Sequence, residues 1–185
     1  MQEKPIFIQK NVIAKTALFT IEQIHLRFSN GAERVYERVR SNGHGAVLIA
    51  AITTTNTLIL VREYAAGTHS YELGFPKGLI EKGESSLEAA NRELREEVGV
   101  AAKKLTWLKT ITLAPGYFGA HLDVIVARDL YSSPLPGDEP EPLERVEWPL
   151  NACDKLLANP DFSEARSIAA LLLVKQWLEK EMNDE

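Results

Sequence analysis

Apolar and polar residues alternate along two segments near the start of the chain, FTIEQIHLRF (19–28) and ERVYERVR (33–40). An alternation with a period of two is typical of a half-buried strand. Ser29-Asn30-Gly31, which separates the two segments, has the chemistry of a turn. Residues 19–40 are therefore predicted to form a β-hairpin.

The remaining apolar runs predict further strands and three helices. The strand candidates are GAVLIAAI (45–52), TLILVREY (57–64), LTWLKTITLA (105–114) and LDVIVARDL (122–130), and the helix candidates cover residues 85–98, 149–158 and 163–182. This order predicts a mixed α/β (α+β) fold in which a mixed β-sheet lies between helices. We predict an N-terminal β-sheet region over residues 1–43 and a main domain over residues 44–185.

The central helix has recognisable ends. Ser85 with Glu88 three positions later matches a capping box, and Gly99 suits the residue that follows a helix C-terminus. Helical spacing places Leu87, Ala90, Leu94 and Val98 on one face, which we expect to be the buried one.

The same helix contains the segment RELREEVGV (92–100), which crowds carboxylates together. Glu93 and Glu97 have no Lys or Arg three or four positions away, so their mutual repulsion lacks a counter-charge on the helix. A hard divalent cation such as Mg²⁺ would reverse the sign of this interaction. The alternative is a solvated charged face, and it suits Glu88, Arg92 and Glu96, whose i,i+4 spacing lets the arginine pair with both acids.

Composition excludes several classes of protein. The 185 residues carry a formal net charge of −5, so the chain lacks the basic surface that a nucleic-acid polymer requires. It has no apolar run of about 18–20 residues and no signal-peptide pattern in MQEKPIFIQKNV. Cys153 is the single cysteine, which excludes an intrachain disulfide. We expect a cytoplasmic protein without membrane or nucleic-acid partners.

The segment before the helix completes a known motif. Gly78, Glu84 and the run from Arg92 to Val100 match the Nudix box at every defined position, and the chain is identified as a member of the Nudix hydrolase family. The resemblance implies the Nudix fold and hydrolysis of a nucleoside diphosphate linked to another group. It further implies two or three Mg²⁺ or Mn²⁺ ions at each site. The implied metal ligands are Glu93, Glu96, Glu97 and the backbone carbonyl of Lys77. The resemblance also implies that Arg92 orients these acids, and that Arg92 and Glu96 take part in catalysis.

Two segments beyond the box resemble the ADP-ribose pyrophosphatases of this family. Ala114-Pro115-Gly116 matches their proline-containing motif, which implies substrate contacts at Pro115 and Gly116, although the same residues are also plain turn chemistry. GDEPEPLERVEW (137–148) resembles the acidic loop that supplies a catalytic glutamate in that subgroup. The resemblance implies Glu139 as general base and Glu141 as an extra metal ligand. Without it, the segment would be interpreted as a solvated surface loop.

The N-terminal hairpin also resembles this subgroup, whose members dimerise by exchanging N-terminal sheets. The resemblance implies a homodimer, with Tyr36, Glu37 and Arg38 of the partner subunit as candidate contacts to the adenine.

The chain departs from the subgroup at two positions. In the subgroup, a three-residue segment commonly ends in an arginine that binds a phosphate. This chain has Arg62-Glu63-Tyr64 there, with the arginine at the first position, so Arg62 is the candidate for that contact. It has Pro76-Lys77-Gly78 where Pro-Ala-Gly is usual.

Taken over nearly its whole length, the chain is similar to hydrolases of ADP compounds that act on ADP-ribose, NADH and diadenosine polyphosphates and release AMP. Two alternatives are a Nudix module that senses ADP-ribose without cleaving it, and a housecleaning hydrolase that converts nucleoside triphosphates with release of pyrophosphate.

Overall fold

The computed structural model describes residues 2–41 and 43–184, and within these ranges the chain forms ten strands and three helices. The strands are β1 (Ile6–Lys15), β2 (Thr20–Arg27), β3 (Glu33–Val39), β4 (Ala46–Ile52), β5 (Thr57–Ala65), β6 (Ser70–Gly74), β7 (Lys77–Leu79), β8 (Val100–Ala114), β9 (Phe118–Ser132) and β10 (Glu144–Pro149). The helices are α1 (Ser86–Glu97), α2 (Cys153–Leu157) and α3 (Ala165–Asp184), with a 3₁₀ turn at Leu150–Ala152 before α2.

The chain divides into two compact units. The first comprises the residues up to Gly45 together with Thr112–His121, and the second comprises Ala46–Ile111 and the residues from Leu122 onward. The division into domains of residues 1–43 and 44–185 stays a prediction.

The first unit is built on an antiparallel meander of β1, β2 and β3, and Val39 at the end of β3 pairs in parallel with Phe118. The predicted hairpin is confirmed as β2 and β3. Strand β1 was not predicted, because its apolar residues do not alternate regularly, and all ten of its residues are exposed.

The second unit has β4 at the centre of its sheet. Strand β4 pairs in parallel with β9, from Ala46↔Leu122 to Ala51↔Ala127, and antiparallel with β5 and β7. Strand β5 in turn pairs antiparallel with β6 and β10. The sheet is therefore mixed, as predicted.

Helices cover both faces of this sheet. Val47, Ile49 and Ala51 of β4 pack in a common core with Ala90 and Leu94 of α1. The intervening β4 residues point to the opposite face, because side chains alternate along a strand, and α3 contacts β4 there. The predicted sheet between helices is confirmed. None of the helices in the described residues is long and apolar enough to cross a lipid bilayer.

Candidate active site

Helix α1 begins and ends as the sequence predicts. The Glu88 backbone N–H donates to Ser85 Oγ at 3.3 Å, and the Ser85 backbone N–H donates to Glu88 Oε2 at 2.9 Å, which completes the capping box. Val98 caps the C-terminus, and Gly99 follows with a φ of 73°, in the left-handed region that favours glycine. Because Glu88 serves the cap, the expectation that it also pairs with Arg92 is wrong.

The buried face of α1 is rotated from the predicted one. Its buried residues are Ala89, Ala90, Glu93 and Leu94, while Leu87 is 38% exposed and Val98 is only partly buried. Ala89 and Ala90 both belong to the core cluster, so the buried face includes Ala89 and Glu93 and leaves Leu87 at its edge. This rotation brings the Glu93 carboxylate to the wall of the site.

Glu93 lies directly against the backbone of Gly78. A Cβ atom at position 78 would lie 2.0 Å from Cδ of Glu93, so only glycine leaves room for this carboxyl group. Burial raises the pKa of Glu93, and the Arg92 guanidinium opposes that shift. Nη1 of Arg92 lies 2.7 Å from Glu93 Oε1. The expectation that the helix offers Glu93 no counter-charge is therefore wrong, because the partner is the adjacent residue.

We expect Gly78→Ala to weaken the affinity for Mn²⁺ by about 10–100-fold, the loss typical when the support of a metal ligand is disturbed. The new methyl group must displace the Glu93 carboxylate, whereas the backbone of Gly78 does not require glycine. Titration of each variant with Mn²⁺, followed by electron paramagnetic resonance, measures the effect. Gly67→Ala is the matched control, because an added Cβ there has no neighbour within 4 Å. Equal Mn²⁺ affinities for the two variants would contradict the placement of Glu93 in the site.

Arg92 binds three acids with one guanidinium group. Nε and Nη2 donate to the two carboxylate oxygens of Glu84 at 3.0 and 3.1 Å, and Nη1 donates to Glu96 Oε2 at 3.0 Å as well as to Glu93. Nη2 also donates to the Leu79 carbonyl at 2.8 Å. The hydrogen bonds from Arg92 hold the pKa of Glu84 below its ordinary value. Arg92 therefore fixes the orientation of Glu93 and Glu96, and its predicted pairing with Glu96 is confirmed.

Glu97 is held differently from its neighbours. Burial, together with the negative charges of Glu93 and Glu63 and against the opposing effect of Lys77, raises the pKa of its carboxyl group to about 8. Oε2 accepts a hydrogen bond from the backbone N–H of Lys77 at 3.3 Å. A partly buried carboxylate without a direct ion pair in the described residues is suited to bind a cation.

The acidic loop after β9 runs along the C-terminal end of α1. The Leu135 N–H donates to the Arg95 carbonyl at 2.9 Å, and a Cβ at Gly137 would lie 3.3 Å from the Glu96 carbonyl oxygen. Glu139 remains accessible to solvent, yet partial burial raises its pKa, with the negative charges of Glu63 and Asp138 adding to the effect. The loop thus brings Glu139 close to Glu63 and Lys77, which also act on Glu97.

Glu139, Glu141 and Arg62 line a common cavity of about 410 Å³. Tyr71 donates its hydroxyl hydrogen to Glu141 at 2.5 Å, and this bond raises the pKa of the phenol. Arg62 forms ion pairs with Glu144 and Asp161, each at 3.3 Å. The predicted phosphate contact and the predicted extra ligand therefore both have protein partners in this structure.

The other predicted substrate contacts belong to the first unit. Tyr36, Glu37 and Arg38 lie on β3, where Arg38 Nη2 is 3.0 Å from the buried carboxylate of Glu22. Pro115 and Gly116 form the turn between β8 and β9, closed by a 3.0 Å bond from Tyr117 N–H to the Ala114 carbonyl. The roles of these residues stay predictions.

Two charged side chains of the site were missed. Glu63 on β5 forms an ion pair with the Lys77 ammonium group, and both lie close enough to Glu97 and Glu139 to affect their pKa values. The alternation along TLILVREYA could have indicated Glu63. Side chains two and four positions apart on a strand lie on the same face, so Glu63 lies on the face of Ile59, which packs in the core with α1. The Lys77 side chain had no such signal, because β7 is only three residues long and shows no alternation.

The donor set suits a hard cation. In the described residues, no three His, Cys, Asp or Glu side chains lie close enough together to hold a metal ion. Arg92 bonds to both Glu93 and Glu96 instead. The available side-chain ligands are nevertheless all carboxylates. The pKa values of Glu93 and Glu97 are raised, so additional positive charge would stabilise the ionised forms of these two side chains. Oxygen ligands of this kind fit Mg²⁺ or Mn²⁺.

Comparisons with known proteins show which family the chain resembles. The chain matches the NUDIX domain over residues 43–172 and the N-terminal domain of NudE-type Nudix hydrolases over residues 5–38. It is 54% identical over 176 residues to the ADP compounds hydrolase NudE of Escherichia coli (strain K12), covering 95% of this chain and 94% of that protein. It is 29% identical over 171 residues to an ADP-ribose pyrophosphatase of Bacillus subtilis (strain 168), covering 89% and 91%.

A solved structure shows the same fold. The crystal structure of an ADP compounds hydrolase superposes with a TM-score of 0.93 at 52% sequence identity, covering 98% of this chain and 97% of that one. The resemblance that the box indicated is therefore confirmed: the chain belongs to the Nudix hydrolase family.

Proposed function

We propose that this hydrolase cleaves the pyrophosphate linkage of ADP derivatives, namely ADP-ribose, NADH and diadenosine polyphosphates, and releases AMP. The observation that supports it most is the intact acid cluster of Glu93, Glu96 and Glu97, with Arg92 holding two of the three and Glu139 nearby. Similarity to an ADP compounds hydrolase over 95% of the chain supports the substrate class.

The metal requirement is proposed from the carboxylates. Nudix hydrolases generally need divalent ions. We assign two or three Mg²⁺ or Mn²⁺ ions to Glu93, Glu96 and Glu97, with the Lys77 carbonyl and Glu141 as further ligands. When bound, such ions supply positive charge that stabilises the pyrophosphate oxygens and makes a water molecule more acidic. For Glu141 this role requires release of its bond to Tyr71.

The protein residues divide the remaining work. Glu139 accepts the proton of the attacking water, and a pKa raised toward neutrality makes it a stronger base than an ordinary carboxylate. Arg92 keeps Glu93 and Glu96 in place. Arg62 contacts a phosphate of the substrate, which requires it to leave Glu144 or Asp161.

A substrate panel tests the proposal. The enzyme is incubated with ADP-ribose, NADH, diadenosine triphosphate and a nucleoside triphosphate, in Mg²⁺, in Mn²⁺ and in EDTA, and the products are separated. We expect AMP from the three ADP compounds and no turnover in EDTA. Release of pyrophosphate from the nucleoside triphosphate alone would favour the housecleaning alternative. Tight binding of ADP-ribose without any product would favour the sensing module.

The raised pKa of Glu97 predicts how the stability of the metal-free protein depends on pH. Its pKa is about 8 in the folded chain against an ordinary 4.5, so folding binds a proton between these values and stability falls as pH rises through this window. The penalty is absent below the lower value and complete above the upper one. We expect the melting temperature in EDTA to fall as the pH is raised from about 5 to about 8.5. This fall should be roughly 5 °C larger for the wild type than for Glu97→Gln.

Differential scanning calorimetry of both proteins measures this difference. Saturating Mg²⁺ should reduce it in the wild type, because the ion stabilises the ionised carboxylate. Parallel pH profiles of the two proteins in EDTA would contradict the burial of Glu97.

We also propose a homodimer formed through the sheet of the first unit. Strand β1 exposes Ile6 and Phe7 by 59% and 58%, and Ile13 by 47%, an apolar surface that a second copy of the chain would cover. Tyr36, Glu37 and Arg38 then remain candidates for adenine contacts from the partner subunit. The single, buried cysteine supports our proposal of a cytoplasmic location.

Ile6→Asp combined with Ile13→Asp is expected to convert the dimer to a monomer, because it places two charges in the apolar contact. Size-exclusion chromatography with light scattering measures the mass. Leu18→Asp is the control, since Leu18 is 81% exposed in the turn between β1 and β2. A monomeric wild type would contradict the proposal.

A further inference from the structure

Lys77 places an ammonium group among the carboxylates of the second unit. Its Nζ forms an ion pair with Glu63, and the two side chains are only 21% and 29% exposed. Its backbone N–H donates to Glu97 Oε2 at 3.3 Å. Lys77 therefore binds Glu63 through its side chain and Glu97 through its backbone.

The Lys77 ammonium also acts on acids that it does not bond. Burial is the largest influence on the pKa of both Glu97 and Glu139 and raises it, Glu63 raises both further, and Lys77 lowers both. One cation is thus shared by three carboxylates, those of Glu63, Glu97 and Glu139.

Arg92 and Lys77 act on different acids of the site. Arg92 bonds to Glu84, Glu93 and Glu96. Lys77 serves the other carboxylates, which approach the site from β5, from the end of α1 and from the acidic loop. Carboxylates at partly buried positions repel one another more strongly than in water, so the acids on the Lys77 side need a nearby positive charge.

The same ammonium group must oppose a divalent ion. Lys77 bonds to Glu97 through its backbone and to Glu63 through its ammonium group, so an ion held by Glu97 would share this neighbourhood with the ammonium group. Two positive charges repel each other more strongly at a partly buried position than in water. Side-chain substitution at position 77 removes this repulsion while leaving the backbone carbonyl of Lys77 in place.

We propose that the Lys77 side chain is a built-in counter-ion of Glu63, Glu97 and Glu139. It stabilises the metal-free protein and weakens the affinity of the protein for the divalent ion. Lys77 is in this sense a positioning residue, because it acts through the carboxylates. The proposal rests on the proposed function in that it takes Glu93, Glu96 and Glu97 as ligands of the ion.

The test compares Lys77→Met with the wild type. The readouts are Mn²⁺ affinity, measured by electron paramagnetic resonance, and melting temperature in EDTA. We expect Lys77→Met to bind Mn²⁺ at least about tenfold more tightly, because a repelling charge is gone, and to melt at a lower temperature without metal. Lys175→Met is the matched control. Lys175 lies on α3 and pairs with Asp154, whose side chain is 87% exposed, so its loss should change Mn²⁺ affinity by less than about twofold.

Two further variants keep the test decisive if Lys77→Met does not fold in EDTA. Lys77→Arg retains the charge, and Lys77→Met with Glu63→Gln removes both charges of the pair. Each is expected to bind Mn²⁺ within about threefold of the wild type. A larger departure in both variants would overturn the proposal, as would unchanged or weaker Mn²⁺ binding by folded Lys77→Met. A Lys77→Met chain that folds only after Mn²⁺ is added supports it.

Glu97→Gln separates this inference from the proposed function. If the wild type and Glu97→Gln bind Mn²⁺ equally, the ion lies elsewhere and the proposed function fails together with the inference. If Glu97→Gln loses the ion while Lys77→Met has the affinity of the wild type, only the inference on Lys77 fails.

Discussion

Glu97→Gln is expected to reduce turnover of ADP-ribose by at least about 10³-fold. Charge stabilisation by a bound ion is worth several kcal/mol, and each 1.4 kcal/mol of barrier is about tenfold in rate. Glutamine keeps the size of the side chain and removes the charge that attracts the ion. Burial already disfavours a negative charge at this position, so replacing Glu97 by a neutral side chain should not destabilise the fold. The substitution is therefore expected to impair metal binding and not folding.

Initial rates at saturating Mg²⁺ and Mn²⁺, together with metal titrations, measure this effect. Glu88→Gln is the matched control on the same helix, because its side chain serves the capping box and glutamine is accepted at that position. We expect the control to keep nearly the full rate. A Glu97→Gln enzyme with a near wild-type rate would contradict the metal assignment.

The second large effect is expected at Glu139. Glu139→Gln should slow turnover by about 10²–10⁴-fold, the usual contribution of a general base, while KM and Mn²⁺ affinity stay similar. The carboxylate lies near Glu63 and Lys77 yet remains accessible to solvent, as a base that must meet water requires. Rates across a range of substrate and Mg²⁺ concentrations separate the three quantities.

Glu147→Gln provides the comparison for Glu139. Glu147 lies on β10, where it pairs with Arg145 at 2.7 Å, and its substitution should leave turnover intact. If Glu139→Gln instead regains the full rate at high Mg²⁺, Glu139 is a metal ligand and the base is another group. A full rate at all Mg²⁺ concentrations would remove Glu139 from the site.

Local sequence patterns were sufficient for the helix that carries the acids and for most of the sheet. The capping box at Ser85 and the glycine at position 99 determine where α1 begins and ends, since both act through neighbouring backbone groups. Alternation located β2 and β3, and the apolar runs located β4, β5, β8 and β9. The spacing of Gly78, Glu84 and the acids was enough to indicate the family that the comparisons then showed.

Short and irregular elements were beyond these patterns. All residues of β1 are exposed, so the strand has no buried face. Its sequence therefore shows no alternation of apolar and polar residues. Strands β6, β7 and β10 are at most six residues long, too short for a reliable period. Their pairing with β4 and β5 is what defines them.

The sequence by itself determined which carboxylates lie on α1 and that Arg92 can reach Glu96 one turn away, because such relations depend only on helix geometry. The tertiary structure alone decided that Glu93 rests against Gly78, that Lys77 joins Glu63, and that the acidic loop reaches the end of α1. These contacts join residues distant in sequence through sheet register and helix rotation. The packing of the whole unit sets both, since Ala89 and Ala90 of α1 are fully buried in the close-packed core.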